Sequence, residues 1–135
     1  MDRIFLDANV LYSAAYMEDG GLGGLWTLEG VELLSSAYAI EEARRNLAVD
    51  RPAALARLRR FTAALTLVNP PQGLKLPPNV RLDPKDQPIL LAAIHGKAGY
   101  LLTGDARHFD HLHGKRIEGV IVLRPAQYFH RRRKP

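Results

Sequence analysis

The sequence predicts an α/β fold in which helices cover both faces of a mainly parallel sheet. Short apolar runs without helical period alternate along the chain with longer segments whose apolar residues repeat at helical spacing. Such a βα alternation favours right-handed crossovers, which build a parallel sheet between two helical layers. The length of 135 residues is that of one ordinary domain with a sizeable core.

The first predicted strand is the apolar run Ile4-Phe5-Leu6, and it ends in a carboxylate. Asp7 and Asn9 follow the run, and residues 10–17 are predicted to form a helix that is broken by Glu18-Asp19-Gly20-Gly21. In open α/β sheets, ligands bind outside the carboxyl ends of the strands. Asp7 therefore marks the edge of the sheet at which we expect a metal or a phosphate.

The patterns that follow predict two strands, a helical hairpin and a proline-rich loop. Gly30 ends a second helical segment, and Ser35 or Ser36 can cap the helix after it. In chain order, the predicted elements are a helical segment at 22–28, a strand at 31–35, a helix at 37–49, a helix opened by Pro52, a strand at 65–68 and an extended loop at 69–79.

Pro88 fixes the start of the next helix. Because proline is tolerated only in the first turn of a helix, Asp86 must lie at or just inside its N-terminus. The helix is apolar almost all round, which indicates burial against the sheet. The last predicted elements are a strand at 100–103 that ends at Gly104-Asp105, a His-rich segment, a strand at 120–123, a helical turn at 125–129 and a frayed basic tail at 131–134.

Composition limits the function classes. The chain has 19 Lys and Arg against 14 Asp and Glu, and this net charge of +5 suits a polyanionic partner such as nucleic acid as well as a merely basic, soluble surface. Without cysteine there is neither a disulfide nor a thiolate metal site. No apolar run of membrane-spanning length and no secretory signal occurs, so we expect no membrane association and a cytoplasmic location.

Acidic residues are placed to converge at one edge of the predicted sheet. Asp7 and Asp105 end strands there, and Asp86 lies at a helix N-terminus. Either Glu41 or Glu42, both on the 37–49 helix, is expected to reach the same edge. Carboxylates held within a few ångströms repel one another, so such a cluster favours a hard divalent cation. Mg²⁺ or Mn²⁺ is the expected occupant.

Four short motifs carry these acids: Leu6-Asp7-Ala8-Asn9-Val10-Leu11, Glu41-Glu42-Ala43-Arg44, Asp83-Pro84-Lys85-Asp86-Gln87-Pro88-Ile89-Leu90 and Leu102-Thr103-Gly104-Asp105. Their order and spacing resemble the PIN domain family of metal-dependent ribonucleases, to which many bacterial and archaeal toxins of toxin–antitoxin pairs belong. The resemblance covers nearly the whole chain. It implies a three-layer α/β/α sandwich with a central sheet of four to five strands, formed by residues 1–130 and followed by a basic tail at 131–135.

The resemblance also implies the chemistry, namely hydrolysis of RNA that leaves a 5′-phosphate and a 3′-hydroxyl. The implied ligands of one or more Mg²⁺ or Mn²⁺ ions are Asp7, Glu42, Asp86 and Asp105, and the implied supporting residues, which orient those carboxylates by hydrogen bonds, are Asn9 and Thr103. RNA would be the substrate and a cognate antitoxin protein a partner, and the chain would form a symmetric homodimer. Arginines of the helical hairpin and of the basic tail are candidates for contacts with RNA phosphates.

Other interpretations of the same residues stay open. Periodicity alone does not choose between Glu41 and Glu42, and each acid can be a helix cap, a turn residue or a salt-bridged surface group. A zinc site would be formed by His108, Asp110, His111 and His113. Residues 104–110 also resemble the last motif of haloacid-dehalogenase-like phosphatases, although Asn9 stands where those enzymes have a second aspartate. A PIN-like module that binds RNA or protein without cutting is a further alternative.

Overall fold

The computed structural model describes residues 1–17 and 21–133. The predicted break at Glu18-Asp19-Gly20 and the end of the predicted tail, Lys134-Pro135, lie outside these residues. Strands and helices alternate in the predicted order. The strands are β1 (Asp2–Leu6), β2 (Val31–Ser35), β3 (Thr66–Leu67), β4 (Tyr100–Leu102), β5 (Arg116–Ile117) and β6 (Val120–Leu123). The α-helices are α1 (Ala8–Tyr16), α2 (Ala37–Asp50), α3 (Leu55–Ala63), α4 (Gln87–His95), α5 (Ala106–Phe109) and α6 (Pro125–Arg133), and 3-10 helix forms at Gly21–Thr27, Pro52–Ala54 and Asp110–Leu112.

Within the described residues, the strands form one sheet in the order β3-β2-β1-β4-β6-β5. All neighbours pair in parallel except β5, which is antiparallel to β6. This confirms the predicted α/β class with a mainly parallel sheet. The two-residue strand β5 was not predicted. It folds back on β6 through Glu118 and Gly119, whose φ angles of 48° and 88° make a tight hairpin turn. Glutamate rarely adopts a positive φ, so the sequence gives little sign of this turn.

The direction of chain travel reverses at the centre of the sheet. From β1 the chain moves outward through β2 and β3, then returns to β4 on the other side of β1 and continues to β6. Right-handed crossovers therefore place α1, α2 and α3 on one face and α4 on the other. The reversal creates a crevice between the carboxyl ends of β1 and β4, where Leu6 is paired with Leu102. Ligands of doubly wound sheets bind at this kind of switch point.

The two central strands are buried, and they give the crevice a rigid base. Phe5 and Leu6 in β1 and Leu101 and Leu102 in β4 are completely inaccessible to solvent. Helix α4 packs over them with an apolar face that includes the fully buried Leu90. Each buried Leu or Phe side chain stabilises the fold by roughly 1.5–3 kcal/mol. The polar residues that follow Leu6 and Leu102 are therefore held in fixed positions.

Helix α6 extends further than predicted. It continues through Arg133, so residues 131–133 are helical, and the prediction of a frayed tail is wrong for them. The reason is a set of contacts with the start of the chain. The buried Tyr128 donates a hydrogen bond to Asp2 at 2.6 Å, and Arg132 donates one to the carbonyl oxygen of Glu29 at 2.9 Å.

In the part of the chain that the structure describes, no helix has the length and apolar character needed to cross a membrane.

Candidate active site

Asp7 lies directly after β1 and caps helix α1. Its carboxylate accepts hydrogen bonds from the backbone N–H of Ala8 at 2.6 Å and from the hydroxyl of Thr103 at 2.8 Å. The residue is only 5% exposed. Burial raises the pKa of Asp7 to about 6, since it outweighs the two hydrogen bonds, and repulsion from Glu42 and Asp86 adds to the rise.

A small hydrogen-bond network joins the carboxyl ends of β1 and β4. The Thr103 hydroxyl, besides donating to Asp7, accepts a bond from the backbone N–H of Asp105 at 3.1 Å. The Asn9 amide group donates to Thr103 Oγ1 at 3.3 Å and accepts from the backbone N–H of Gly104 at 2.8 Å. Asn9 and Thr103 therefore fix the spacing between the two strand ends and hold Asp7 in one orientation.

Asp105 lies on the other side of the crevice. One of its carboxylate oxygens caps helix α5 by accepting the backbone N–H of His108 at 3.0 Å. The other oxygen lies 2.9 Å from Nδ1 of the same histidine. The Asp105 side chain is one-quarter exposed, so it faces solvent more than Asp7 does.

Asp86 occupies the N-cap position of α4, as Pro88 predicts. Its side chain makes no capping hydrogen bond, and Oδ2 is buried without a hydrogen-bond partner in the described part of the chain. Burial is the main cause that raises the pKa of Asp86, and the neighbouring His108 and Lys85 oppose the rise. A merely structural capping role does not explain this carboxylate, because the cap bond is missing.

His108 points into the acidic cluster. Its Nδ1 lies 3.0 Å from Asp86 and 2.9 Å from Asp105, and its Nε2 lies 3.6 Å from Asp83. Nδ1 is buried and, within residues 1–17 and 21–133, has no partner at hydrogen-bonding angles. Among the described residues, Asp83, Asp86 and His108 are the set of three metal-ligating side chains whose ligand atoms all lie within 4.8 Å of one another.

The alternative zinc site does not form among the described residues, because its side chains contact different partners. His111 contacts the carbonyl oxygen of Arg81 at 2.6 Å, while His113 accepts the backbone N–H of Arg124 at 3.3 Å. Asp110 lies 3.4 Å from the guanidinium of Arg124. Only His108 of that set reaches the acids.

The two adjacent glutamates of α2 have different surroundings. Glu41 is exposed and forms a bidentate ion pair with Arg44, which lowers its pKa. Glu42 is half-buried, lies beside Asn9 in a shallow cleft and is close enough to Asp7 to raise the pKa of that residue. Glu42 therefore lies near Asp7, whereas Glu41 lies on the outer surface of the helix.

The cluster as a whole suits a hard divalent cation. Glu42 and Asp86 repel Asp7, and Asp105 and Asp83 repel Asp86. Carboxylate oxygens are the ligands that Mg²⁺ and Mn²⁺ take, and a cation among them would relieve the repulsion. The buried Asp86 Oδ2, which forms no hydrogen bond in the described part of the chain, fits such a role, since a metal bond would satisfy it.

The PIN domain family model matches residues 3–107, a range that contains Asp7, Glu42, Asp83, Asp86 and Asp105. The chain belongs to the PIN domain family. This membership confirms the resemblance that the four motifs carry. The matched range begins before Asp7 and ends just after Asp105, so it includes the first and the last of the four motifs.

A solved structure has the same PIN fold. It is the crystal structure of VapBC2 from Rickettsia felis bound to a DNA fragment from their promoter. The similarity covers 90% of this chain and 98% of the matched chain, with a TM-score of 0.60 at 15% identity. At this identity the likeness concerns the fold. Comparison with curated proteins gives no match.

Sequence reasoning missed two residues of this PIN domain site. One is His108, which no metal-binding spacing connects to the acids. The other is Tyr38 at the start of α2, whose hydroxyl donates to the carbonyl oxygen of Lys85 at 2.6 Å and so holds the segment before Asp86. Partial burial raises the pKa of Tyr38, and the negative charges of Glu42, Asp86 and Asp7 add to the effect. The contact of His108 with Asp86 and that of Tyr38 with Lys85 have no signal in the sequence, because each joins segments that are distant along the chain.

Proposed function

We propose that this PIN domain is a metal-dependent endoribonuclease and the toxin of a toxin–antitoxin pair. The observation that carries the proposal is the carboxylate cluster at the switch point of the sheet, with its buried and unpartnered Asp86 oxygen. Family membership supports a nuclease. The antitoxin partner is supported by analogy with the VapBC2 complex.

In this proposal, Asp7, Glu42, Asp86 and Asp105 hold Mg²⁺ or Mn²⁺. When bound, a divalent cation polarises a phosphodiester and lowers the pKa of a water molecule. The chain's own contribution is to fix the ligands. Thr103 and the N–H of Ala8 orient Asp7, and the backbone N–H of His108 orients Asp105. Water attack on RNA then leaves a 5′-phosphate and a 3′-hydroxyl.

The test is cleavage of single-stranded RNA with and without Mg²⁺ or Mn²⁺. We expect the wild-type chain to cut only with metal, and Asp7→Asn to lose the activity because Asn keeps the volume but not the charge. Asp110→Asn is the control, since Asp110 is an exposed acid outside the cluster. Product ends are read by their response to a 5′-phosphate-dependent exonuclease.

Three results would contradict the proposal. Full cleavage by Asp7→Asn with unchanged metal dependence would remove Asp7 from the site. Products that end in a 2′,3′-cyclic phosphate would indicate chemistry without metal-activated water. RNA binding without any cleavage would identify the chain as a non-cleaving module instead.

A further inference from the structure

A cleft of about 440 Å³ opens beside the carboxylate cluster. It is bordered by Asp83 and His108, and His108 in turn contacts Asp86 and Asp105. The cleft is therefore continuous with the proposed metal site. Its volume falls in the range of pockets that hold small ligands, and it has room for a nucleotide.

Two arginines line this cleft. Arg81 comes from the loop before α4, and Arg107 from the short helix α5. Both are exposed, and their guanidinium groups have no ion-pair partner in the part of the chain that the structure describes. Elsewhere, Arg44 pairs with Glu41 and Arg124 with Asp110. Unlike Arg44 and Arg124, the two cleft arginines keep their donors available for a ligand.

The wall that carries Arg81 is held in place by side chains from two directions. Gln87, in the first turn of α4, donates to the carbonyl oxygen of Leu82 at 2.9 Å. His111 lies 2.6 Å from the carbonyl oxygen of Arg81. Two hydrogen bonds on consecutive carbonyl groups fix a loop segment that has no regular secondary structure of its own. The cleft is therefore preformed, which lowers the entropic cost of binding.

We propose that this cleft binds the RNA nucleotide next to the scissile phosphodiester. The inference rests on the proposed nuclease function. Arg81 and Arg107 bind the phosphate of that nucleotide, because a guanidinium matches phosphate oxygens in a bidentate geometry. Val80 and Leu82 supply the apolar surface for its ribose and base.

An acidic protein segment is the competing ligand for two arginines. Its carboxylates would pair with the arginines, but it has no ribose or base to cover the apolar part of the cleft, and it would meet the carboxylates of Asp83, Asp86 and Asp105 at the edge. A phosphodiester strand meets the same carboxylates, but its scissile phosphate lies against the cation that they hold in the proposed mechanism. The charge pattern of adjacent carboxylates and arginines therefore favours RNA.

The test is binding of a randomised single-stranded RNA, measured by fluorescence anisotropy with Ca²⁺ in place of Mg²⁺ to keep the RNA intact. We expect Arg81→Ala and Arg107→Ala each to raise Kd about fivefold to tenfold. Each should also lower the slope of log K against log salt by about 0.7, the value for one phosphate contact on a single strand. Arg116→Ala is the matched control, because Arg116 is an exposed arginine on β5 outside the cleft; its Kd should stay within about twofold of wild type.

Melting temperatures establish that the variants are folded, and Arg81→Gln and Arg107→Gln replace any alanine variant that is not. If wild type cuts RNA and the cleft variants bind as Arg116→Ala does, the cleft assignment is overturned while the nuclease proposal stands. If wild type neither binds nor cuts RNA, both fail. If a polyglutamate peptide binds the wild-type chain as tightly as RNA and loses affinity in the same variants, the cleft belongs to an acidic protein segment and the RNA assignment is overturned.

Discussion

The acidic residues at the two ends of the central strand β1 have different surroundings. At the amino end, Asp2 accepts the hydroxyl of Tyr128 and lies 3.7 Å from Arg132, and the neighbouring Glu32 pairs with Arg3. At the carboxyl end, Asp7 lies among other carboxylates, and Asp86 Oδ2 forms no hydrogen bond within the described residues, although His108 Nδ1 lies 3.0 Å away.

This difference separates acids that stabilise the fold from acids that oppose it. Paired carboxylates at the amino end tie α6 and β2 to β1. The cluster at the carboxyl end costs folding free energy through burial and repulsion, because both make the charged form of a carboxylate less favourable. A cluster that lowers the stability of the metal-free fold is typical of a functional site, because a bound ligand compensates for the cost. The predictions below test whether the two ends differ in this way.

The largest expected effect concerns the two neighbouring glutamates of α2. Glu42→Gln should lower the rate of RNA cleavage about a thousandfold, roughly 4 kcal/mol of transition-state stabilisation, because Glu42 is a proposed metal ligand. Glu41→Gln should leave the rate within about twofold, since residues one apart on a helix point about 100° apart. The measurement is the initial rate of RNA cleavage at saturating Mg²⁺. Equal losses in the two variants would mean that neither is a unique ligand.

The next effect is the pH dependence of metal-free stability. The pKa of Asp7 rises from 3.8 to about 6 on folding, so the folded state binds this proton more tightly than the unfolded state does. The resulting stabilisation is present below pH 4 and is lost as pH rises through 6. Over that range it amounts to roughly 3 kcal/mol.

Asn resembles the protonated carboxyl group but does not titrate, so comparing Asp7→Asn with wild type measures the pH-dependent stability that comes from Asp7. With chelator present, Asp7→Asn should unfold with a higher free energy than wild type at pH 7, and the gap should close towards pH 4. Urea unfolding at both pH values measures the gap. A gap that is equal at the two values would show that Asp7 ionises as an ordinary exposed aspartate.

The smallest effect belongs to the amino end. Tyr128→Phe removes the hydrogen bond to Asp2 and should lower the free energy of unfolding by about 1 kcal/mol. RNA cleavage should be unchanged, because this contact lies at the opposite end of β1 from the acids. A loss of cleavage without a loss of stability would show that the two ends are coupled, and the comparison would fail.

The sequence predicts the parts of the site that depend on local chemistry. Asp7 is predicted because it follows a β-prone run, and Asp86 is predicted because Pro88 forces a helix to begin beside it. The choice between Glu41 and Glu42 needs the tertiary structure, since both flank the same apolar stripe. The resemblance to PIN domains favours Glu42 as the metal ligand. Glu41 instead forms an ion pair with Arg44 on the surface of the helix.

The features that the sequence does not predict all arise from contacts between distant segments. His108 reaches Asp86 because α5 is a single turn that is capped by Asp105 and lies beside the start of α4. Helix α6 extends through Arg133 because Tyr128 and Arg132 contact the first strand and the turn before β2. Such pairings have no fixed spacing along the chain, so periodicity and local motifs give no sign of them.

Thermal unfolding with and without metal shows whether the acids at the carboxyl end of β1 share a cation. A cation that binds only the folded state adds RT ln(1 + [L]/Kd), roughly 2.7 kcal/mol at a hundredfold excess over Kd. The melting temperature of the wild-type chain should therefore rise with Mg²⁺ or Mn²⁺, as should that of the control Asp2→Asn. The double variant Asp7→Asn with Asp105→Asn should melt higher than wild type in chelator and should not respond to metal. If wild type and the double variant respond identically to metal, these acids do not share a cation, and the account is contradicted.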